Sequence, residues 1–269
     1  MWDVITHKWL QVPYALHVHT DNHIENPRAT VLFIHGIGNS GAAWQDTMKG
    51  LPGDVRLITI DLLGFGRSKQ PPWAVYSAKT QARSVLATFL KLRVRGRVII
   101  VGHSLGALVA VEIAKRYPLL VRSLILCSPP FYKVDPKKRN LLPRSDDILK
   151  EMYRIASRYP DQIVRLSTVA VKLGLVNDSF NLTRDNAPTY MNALESTIIN
   201  QTSLQDALKL TVPTRIIHGQ LDPVVVGKNL RYLVKENRHI TLTNVLAGHE
   251  VKGLFVKATT KAINEAIKE

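Results

Sequence analysis

Along the chain, short runs that are apolar on both faces alternate with longer stretches of helical period. TVLFIHG (30–36), VRLITID (55–61), RVIIVGH (97–103) and VRSLILCS (121–128) are β-branched and apolar on both faces. Such runs belong in the middle of a parallel sheet that helices cover on each side. Between them lie SAKTQARSVLATFLKL, with Ser77 placed to cap it, and LGALVAVEIAKRYP, which Pro118 ends. Nearer the start, VITHKW and YALHVHT alternate apolar with polar, a pattern that predicts two antiparallel edge strands. Strands resume with PTRIIHG (213–219) and HITLTNV (239–245), and a helix from about Leu254 closes the chain. This alternation predicts an α/β fold built on a doubly wound, mostly parallel sheet.

From Pro129 to Gln205 the pattern is helical without intervening strands. SDDILKEMYRIASRYP has Ser145 as an N-cap and a proline stop, DQIVRLSTVAVKLG ends on Gly174, and NAPTYMNALESTIINQ starts after Asn186; SLQDALKL adds a short fourth helix. The expected organisation is a core domain from 1–129 and 206–269, interrupted by a helical cap at 130–205. The apolar faces of the cap (Ile148, Met152, Ile155; Val164, Val169, Leu173) are expected mainly to pack, with some reaching a bound acyl chain.

Composition narrows the class. With 269 residues, 45% hydrophobic and 21% charged, the chain suits one large globular domain. The start, MWDVITHKWL, lacks the basic head and apolar stretch of a signal peptide, and no apolar run is long enough to span a bilayer. The single cysteine, Cys127, excludes an intrachain disulfide and any multi-cysteine metal site. These features predict a soluble cytoplasmic protein without stable membrane insertion. The net charge of +15 is unusual, but it is spread along the chain, and its densest run, KLRVRGR (91–97), has no interleaved aromatics. It is read as a solvated helix end, and no nucleic-acid partner is expected. The charge would favour acidic partners by steering.

Candidate chemistry begins with GHSLG (102–106), where a strand turns at once into a helix. A serine at such an apex projects from the carboxyl edge of the sheet in a strained conformation. Gly102 and Gly106 are needed because a Cβ at either would strike the opposite arm of the turn. The hydroxyl of Ser104 needs a base. His7, His17, His19 and His23 precede the first core strand and are read as surface residues; His35 and His218 sit before glycines at strand ends and are read as ties between loops. His103 points away from the serine and His239 opens a strand. His249, in LAGHE after the last strand, lies at the same edge as Ser104 and is the best base. Asp222, in HGQLDPVV just past a strand, is the best orienting carboxylate. Asp61 is a rival but heads the loop DLLGFGRS, which it is expected to stabilise locally; Glu250 would have to fold back.

The order Ser104, Asp222, His249, together with HGIGNSGAAW (35–44), DLLGFGRS (61–68), GHSLG, DALKLTVPTRIIHGQLD (206–222) and the final GH (248–249), resembles the α/β-hydrolase fold superfamily, serine-nucleophile branch, over nearly the whole chain. The resemblance implies a Ser104–His249–Asp222 triad and an oxyanion hole formed by the backbone amides of Ile37 and Leu105. Trp44 is expected to pack beneath the loop. No cofactor and no metal are expected. The expected activity is hydrolysis of a small-molecule carboxylic ester, of short to medium acyl chain, through an acyl-enzyme. A carbon–carbon bond hydrolase and a cofactor-free perhydrolase on the same triad remain alternatives, as does a hydrolase-fold receptor that binds a ligand. Oligomeric state is left open.

Overall fold

A computed structural model describes residues 2–132, 154, 158, 160–173 and 176–269. Seven strands form one sheet: β1 (His17–Asp21), β2 (Thr30–Ile34), β3 (Arg56–Asp61), β4 (Val98–His103), β5 (Val121–Cys127), β6 (Thr214–Gly219) and β7 (Ile240–Val245), in the order β1-β3-β2-β4-β5-β6-β7. All neighbours are parallel except β1 and β3. The four runs apolar on both faces are the central parallel strands β2 to β5, as their two-sided apolarity required, and the two later segments add β6 and the more exposed β7. Ile34 aligns with Gly102, His103 with Cys127, and Cys127 with Ile217, so the central strands end level and their following loops share one edge.

Successive residues along each strand feed opposite faces of the sheet. Leu32, Ile34, Ile100, Leu124 and Leu126 pack beneath α2 (Ala78–Lys91) and α3 (Leu105–Arg116). Their alternates Val31, Phe33, Ile99, Val101 and Ile125 face the other way, with Trp44 and the terminal helix. The remaining described helices are α1 (Gln45–Met48), α4 (Pro160–Lys172), α5 (Ala187–Ala193), α6 (Ser203–Ala207), α7 (Gly227–Glu236) and α8 (Leu254–Lys268). Ser77 caps α2 by accepting a hydrogen bond from the Thr80 amide at 3.3 Å. At the antiparallel edge, buried Arg56 donates to both carboxylate oxygens of Asp21, at 3.0 and 2.7 Å, and pins β1 to β3.

Three local expectations need revision. VITHKW is not a strand: Val4–Trp9 is a π-helical stretch, and only the second alternating segment joins the sheet. The Tyr14 hydroxyl donates to Asp3 at 2.8 Å and the ring of His7 stacks on Tyr14, so the start of the chain folds back on itself. Helix α7 carries no polar cap, since Val226 precedes it, and so had no start signal in the sequence. In α4, Val164 is half-buried, but Val169 and Leu173 are 50% and 68% exposed, so packing does not account for them. Ile148, Met152, Ile155 and Gly174 lie outside the described residues. Among the described residues, no helix is long and apolar enough to cross a membrane.

Helix α8 covers its face of the sheet through Phe255, Ile263 and Ile267, with Phe255 fully buried. Phe255→Ala removes the largest of these side chains and leaves a cavity. It is expected to cost about 3–5 kcal/mol, read as a lower urea midpoint at unchanged m-value.

Candidate active site

The turn from β4 into α3 places Ser104 at φ 50° and ψ −116°, outside the regions that side chains ordinarily occupy. Its amide donates to the Cys127 carbonyl at 2.9 Å, and its own carbonyl accepts from the Ala107 amide at 2.9 Å, so both sides of the turn are held. A Cβ on Gly102 would lie 2.4 Å from the Gly106 carbonyl oxygen, the collision with the opposite arm that the motif predicts. Gly106 is needed for a different reason. A Cβ there would lie 2.3 Å from the Ile34 carbonyl oxygen, so this glycine lets the helix close against β2 rather than against its own strand.

Asp222 and His249 come together at the ends of β6 and β7. His249 Nδ1 and Asp222 Oδ2 are 2.7 Å apart, and the carboxylate is fully shielded from solvent. The other oxygen, Oδ1, accepts from the amides of Val224 at 2.8 Å and Val225 at 3.2 Å. Burial pushes the Asp222 carboxyl up, but the hydrogen bond and charge of His249, with these two amides, hold it below the usual carboxylate range. An ionised Asp222 requires the proton on Nδ1 of His249, which leaves Nε2 as the free acceptor. Gly219 makes the approach possible: a Cβ there would lie 2.1 Å from the Gly248 carbonyl oxygen. The amides of Gln220 and Leu221 then bond to the carbonyls of Val245 and Ala247, locking the two loops in register.

Two buried imidazoles join these loops to the serine turn. His35 Nε2 accepts from the Leu62 amide at 2.9 Å, so its proton sits on Nδ1, which donates to the Gly36 carbonyl at 2.7 Å. Burial drives its pKa down to about 4, and it remains neutral. His103 bonds to the loop that carries the candidate base. Its Nε2 donates to the His249 carbonyl at 3.0 Å, and the two rings stand 5.0 Å apart. Burial lowers its pKa as well. A Cβ on Gly36 would lie 2.8 Å from His103 Nδ1 and 3.4 Å from Ser104 Cβ, so the loop carrying Ile37 runs directly beside the serine. Leu105 opens α3, where first-turn amides have no partner within the helix. His218 bonds to the Asn244 side chain at 3.2 Å and ties β6 to β7.

The rival carboxylates are engaged elsewhere. Asp61 accepts from the Gly41 amide at 2.7 Å and the Arg67 amide at 2.8 Å, which organises the glycine-rich loop as its position suggested. Glu250 lines a small cavity with His35, Trp44, His103 and Asn177. Trp44 is buried and its ring stands 5.3 Å from that of Phe33, so it packs. The segment before α5 closes on the same edge: Asn181 donates its amide to the Gly38 carbonyl at 2.8 Å, and Phe180 lies where a Cβ on Gly38 would be. Neither this contact nor the His103 bond had a local signal, because both join residues far apart in the chain.

Residues 29–252 match the alpha/beta hydrolase fold family. The chain is 37% identical over 116 residues to the probable lysophospholipase BODYGUARD 2 of Arabidopsis thaliana, a match covering 40% of this chain and 24% of the relative. It is 36% identical over 112 residues to lipase LipV of Mycobacterium tuberculosis, covering 42% of this chain and 41% of that protein. The chain therefore spans about a quarter to two fifths of the length of these relatives. An esterase from Exiguobacterium antarcticum superposes with a TM-score of 0.77 at 16% identity, over 96% of this chain and 100% of the other, a likeness of fold.

The depressed pKa of Asp222 has a thermodynamic consequence. Its stabilising contribution is present above the unfolded carboxyl value and is lost as pH falls through the folded one. Urea midpoints measured from pH 7 downward should fall more steeply for the wild-type protein than for Asp222→Asn. Parallel profiles would show that the carboxylate gains nothing from its partners.

Proposed function

The chain belongs to the alpha/beta hydrolase fold family, and within it we propose that Ser104, His249 and Asp222 form the catalytic triad of a serine esterase. The observation that carries this reading is the pairing of a strained Ser104 on the β4–α3 turn with the 2.7 Å Asp222–His249 contact at the same sheet edge. His249 Nε2 takes the Ser104 proton as the hydroxyl oxygen attacks the ester carbonyl. The tetrahedral oxyanion is received by the amides of Ile37 and Leu105, and each such donor is worth roughly 3 kcal/mol in the transition state. The imidazolium returns the proton to the leaving alcohol as the carbon–oxygen bond breaks. Water then repeats the sequence on the acyl-enzyme and regenerates the serine. Asp222 holds the tautomer and stabilises the imidazolium throughout.

The substrate class follows from the cap. Within the cap, the described segment before α5 is read as part of a lid over Ser104, a reading supported by the contacts of Phe180 and Asn181 with Gly38. A bounded cavity favours short to medium acyl chains, since each methylene contributes about 0.8 kcal/mol only where it meets apolar wall. The partial likeness to a probable lysophospholipase and a lipase favours a second reading, a monoacyl lipid. An aryl-ester series of increasing acyl length, run beside a lysophospholipid, separates the two. Cleavage of a vinylogous dione without ester turnover would instead indicate carbon–carbon hydrolysis, and stoichiometric binding without turnover a receptor.

Ser104→Ala should keep the fold and abolish both ester hydrolysis and fluorophosphonate labelling. Labelling that persists on another serine would sink the assignment. Asp222→Asn is nearly isosteric but favours the wrong imidazole tautomer, and should lower kcat by on the order of 10³–10⁴ with little change in KM. Glu250→Gln should leave kcat within about tenfold, because Glu250 lies on the His103 side of the loop. The reverse ranking would transfer the acid role to Glu250.

A further inference from the structure

A second cluster of ligating side chains lies away from the serine. His17 and His19 stand two residues apart on β1, and an irregularity in the β1–β3 register at His19 leaves their rings 6.5 Å apart, edge to face. His17 is paired across the sheet with Asp61, the last residue of β3. One ligand atom from each of His17, His19 and Asp61 lies within 4.8 Å of the other two. The carboxylate is buried, while His17 is half-buried and His19 exposed, so the cluster opens to solvent on one side. A buried carboxylate ordinarily requires a compensating cation. Among the described residues, no lysine, arginine or histidine nitrogen lies within 4.0 Å of Asp61. Its two bonds come from neutral amides, and each oxygen keeps a second lone pair.

We infer that His17, His19 and Asp61 form a binding site for one divalent first-row metal ion of the zinc class. Two imidazoles and a carboxylate are a suitable donor set, with water completing a tetrahedral shell. Bond lengths of about 2.0–2.2 Å put neighbouring ligand atoms roughly 3.4 Å apart, so a modest rotation of the exposed His19 ring closes the cluster around the ion. The frame is already fixed. The His17 amide donates to Ser68 Oγ at 2.9 Å, and Ser68 Oγ donates to the Asp61 carbonyl at 2.6 Å. A Cβ on Gly41 would lie 2.6 Å from His19 Cβ, so the second histidine is packed at its root. The amides of Gly41 and Arg67 hold the carboxylate from behind, as outer-shell donors hold metal-binding carboxylates. His35 takes no part, because both of its ring nitrogens are engaged with backbone. In the sequence, His17 and His19 read as surface residues ahead of the first core strand, and no metal is expected there. The ion would clip the edge strand β1 to β3 and to the two loops that Asp61 organises.

The test is thermal unfolding of the full chain, first treated with a chelator, then titrated with zinc chloride. Ligand that binds only the folded state raises Tm with concentration. The expected result is a rise in Tm and one equivalent of zinc retained after gel filtration. Both should be lost in His19→Gln and in His17→Gln, and kept in His23→Gln, an exposed histidine outside the cluster. Co²⁺ should give the visible absorption of a tetrahedral site in the wild type and in His23→Gln, and in neither ligand variant. No zinc-dependent rise in the wild type, or a rise that survives both ligand substitutions, would overturn the site. Because these readouts do not use ester turnover, loss of the proposed esterase activity would leave the metal site standing, and the converse holds too.

Discussion

Everything at the carboxyl edge is arranged around the strain at Ser104. A non-glycine residue at φ 50° and ψ −116° costs on the order of 1–3 kcal/mol and survives only where its surroundings over-determine it. Here they do. The serine amide is tied to β5 and its carbonyl to α3, while Gly102 and Gly106 let strand, helix and β2 approach to distances that no Cβ would permit. The six-residue strand behind is buried throughout and the twelve-residue helix ahead is buried from Leu105 to Ala114, so the turn cannot relax without unpacking the centre of the sheet.

From that fixed point the neighbouring loops are set by buried polar joints rather than by apolar contact. His103 bonds the carbonyl of His249 while lying under Gly36, so one neutral imidazole links the serine turn, the loop bearing Ile37 and the loop bearing the candidate base. His35 joins the same β2 loop to Leu62. Burial keeps both rings uncharged, so each serves as a donor of fixed tautomer. Asp222 stays ionised in spite of its burial, because three donors converge on it.

Asp61 shows how one residue type serves different ends at two separate strand ends, those of β3 and β6. Both Asp61 and Asp222 follow a core strand and both accept two backbone amides. Asp222 meets the ring of His249 at 2.7 Å, whereas Asp61 has two imidazoles within 4.8 Å and none within bonding reach. One arrangement fits proton transfer. The other fits an ion held between the rings and the carboxylate.

The mostly parallel sheet and the serine turn were legible in the sequence because each is dictated locally, whereas the order of the strands was not. Runs apolar on both faces can be stable only in a covered parallel sheet, and GHSLG between such a run and a helical period leaves one geometry open. Asp222 and His249 could be chosen as residues following strands, yet their contact depends on Gly219 admitting the backbone of Gly248, which no local pattern records. The strand expected at VITHKW and the unheralded helix at Gly227–Glu236 failed for related reasons. Alternation alone does not supply a partner for a sheet edge, and Tyr14 and Asp3 drew the first segment away; α7 lacks a capping residue and is held by burial of Leu230 and Leu233. The sequence by itself determined which segments must be buried and where a strained hydroxyl would stand. Only the tertiary structure decided which polar groups meet, because hydrogen bonds and ion sites depend on distances between residues tens to more than a hundred positions apart.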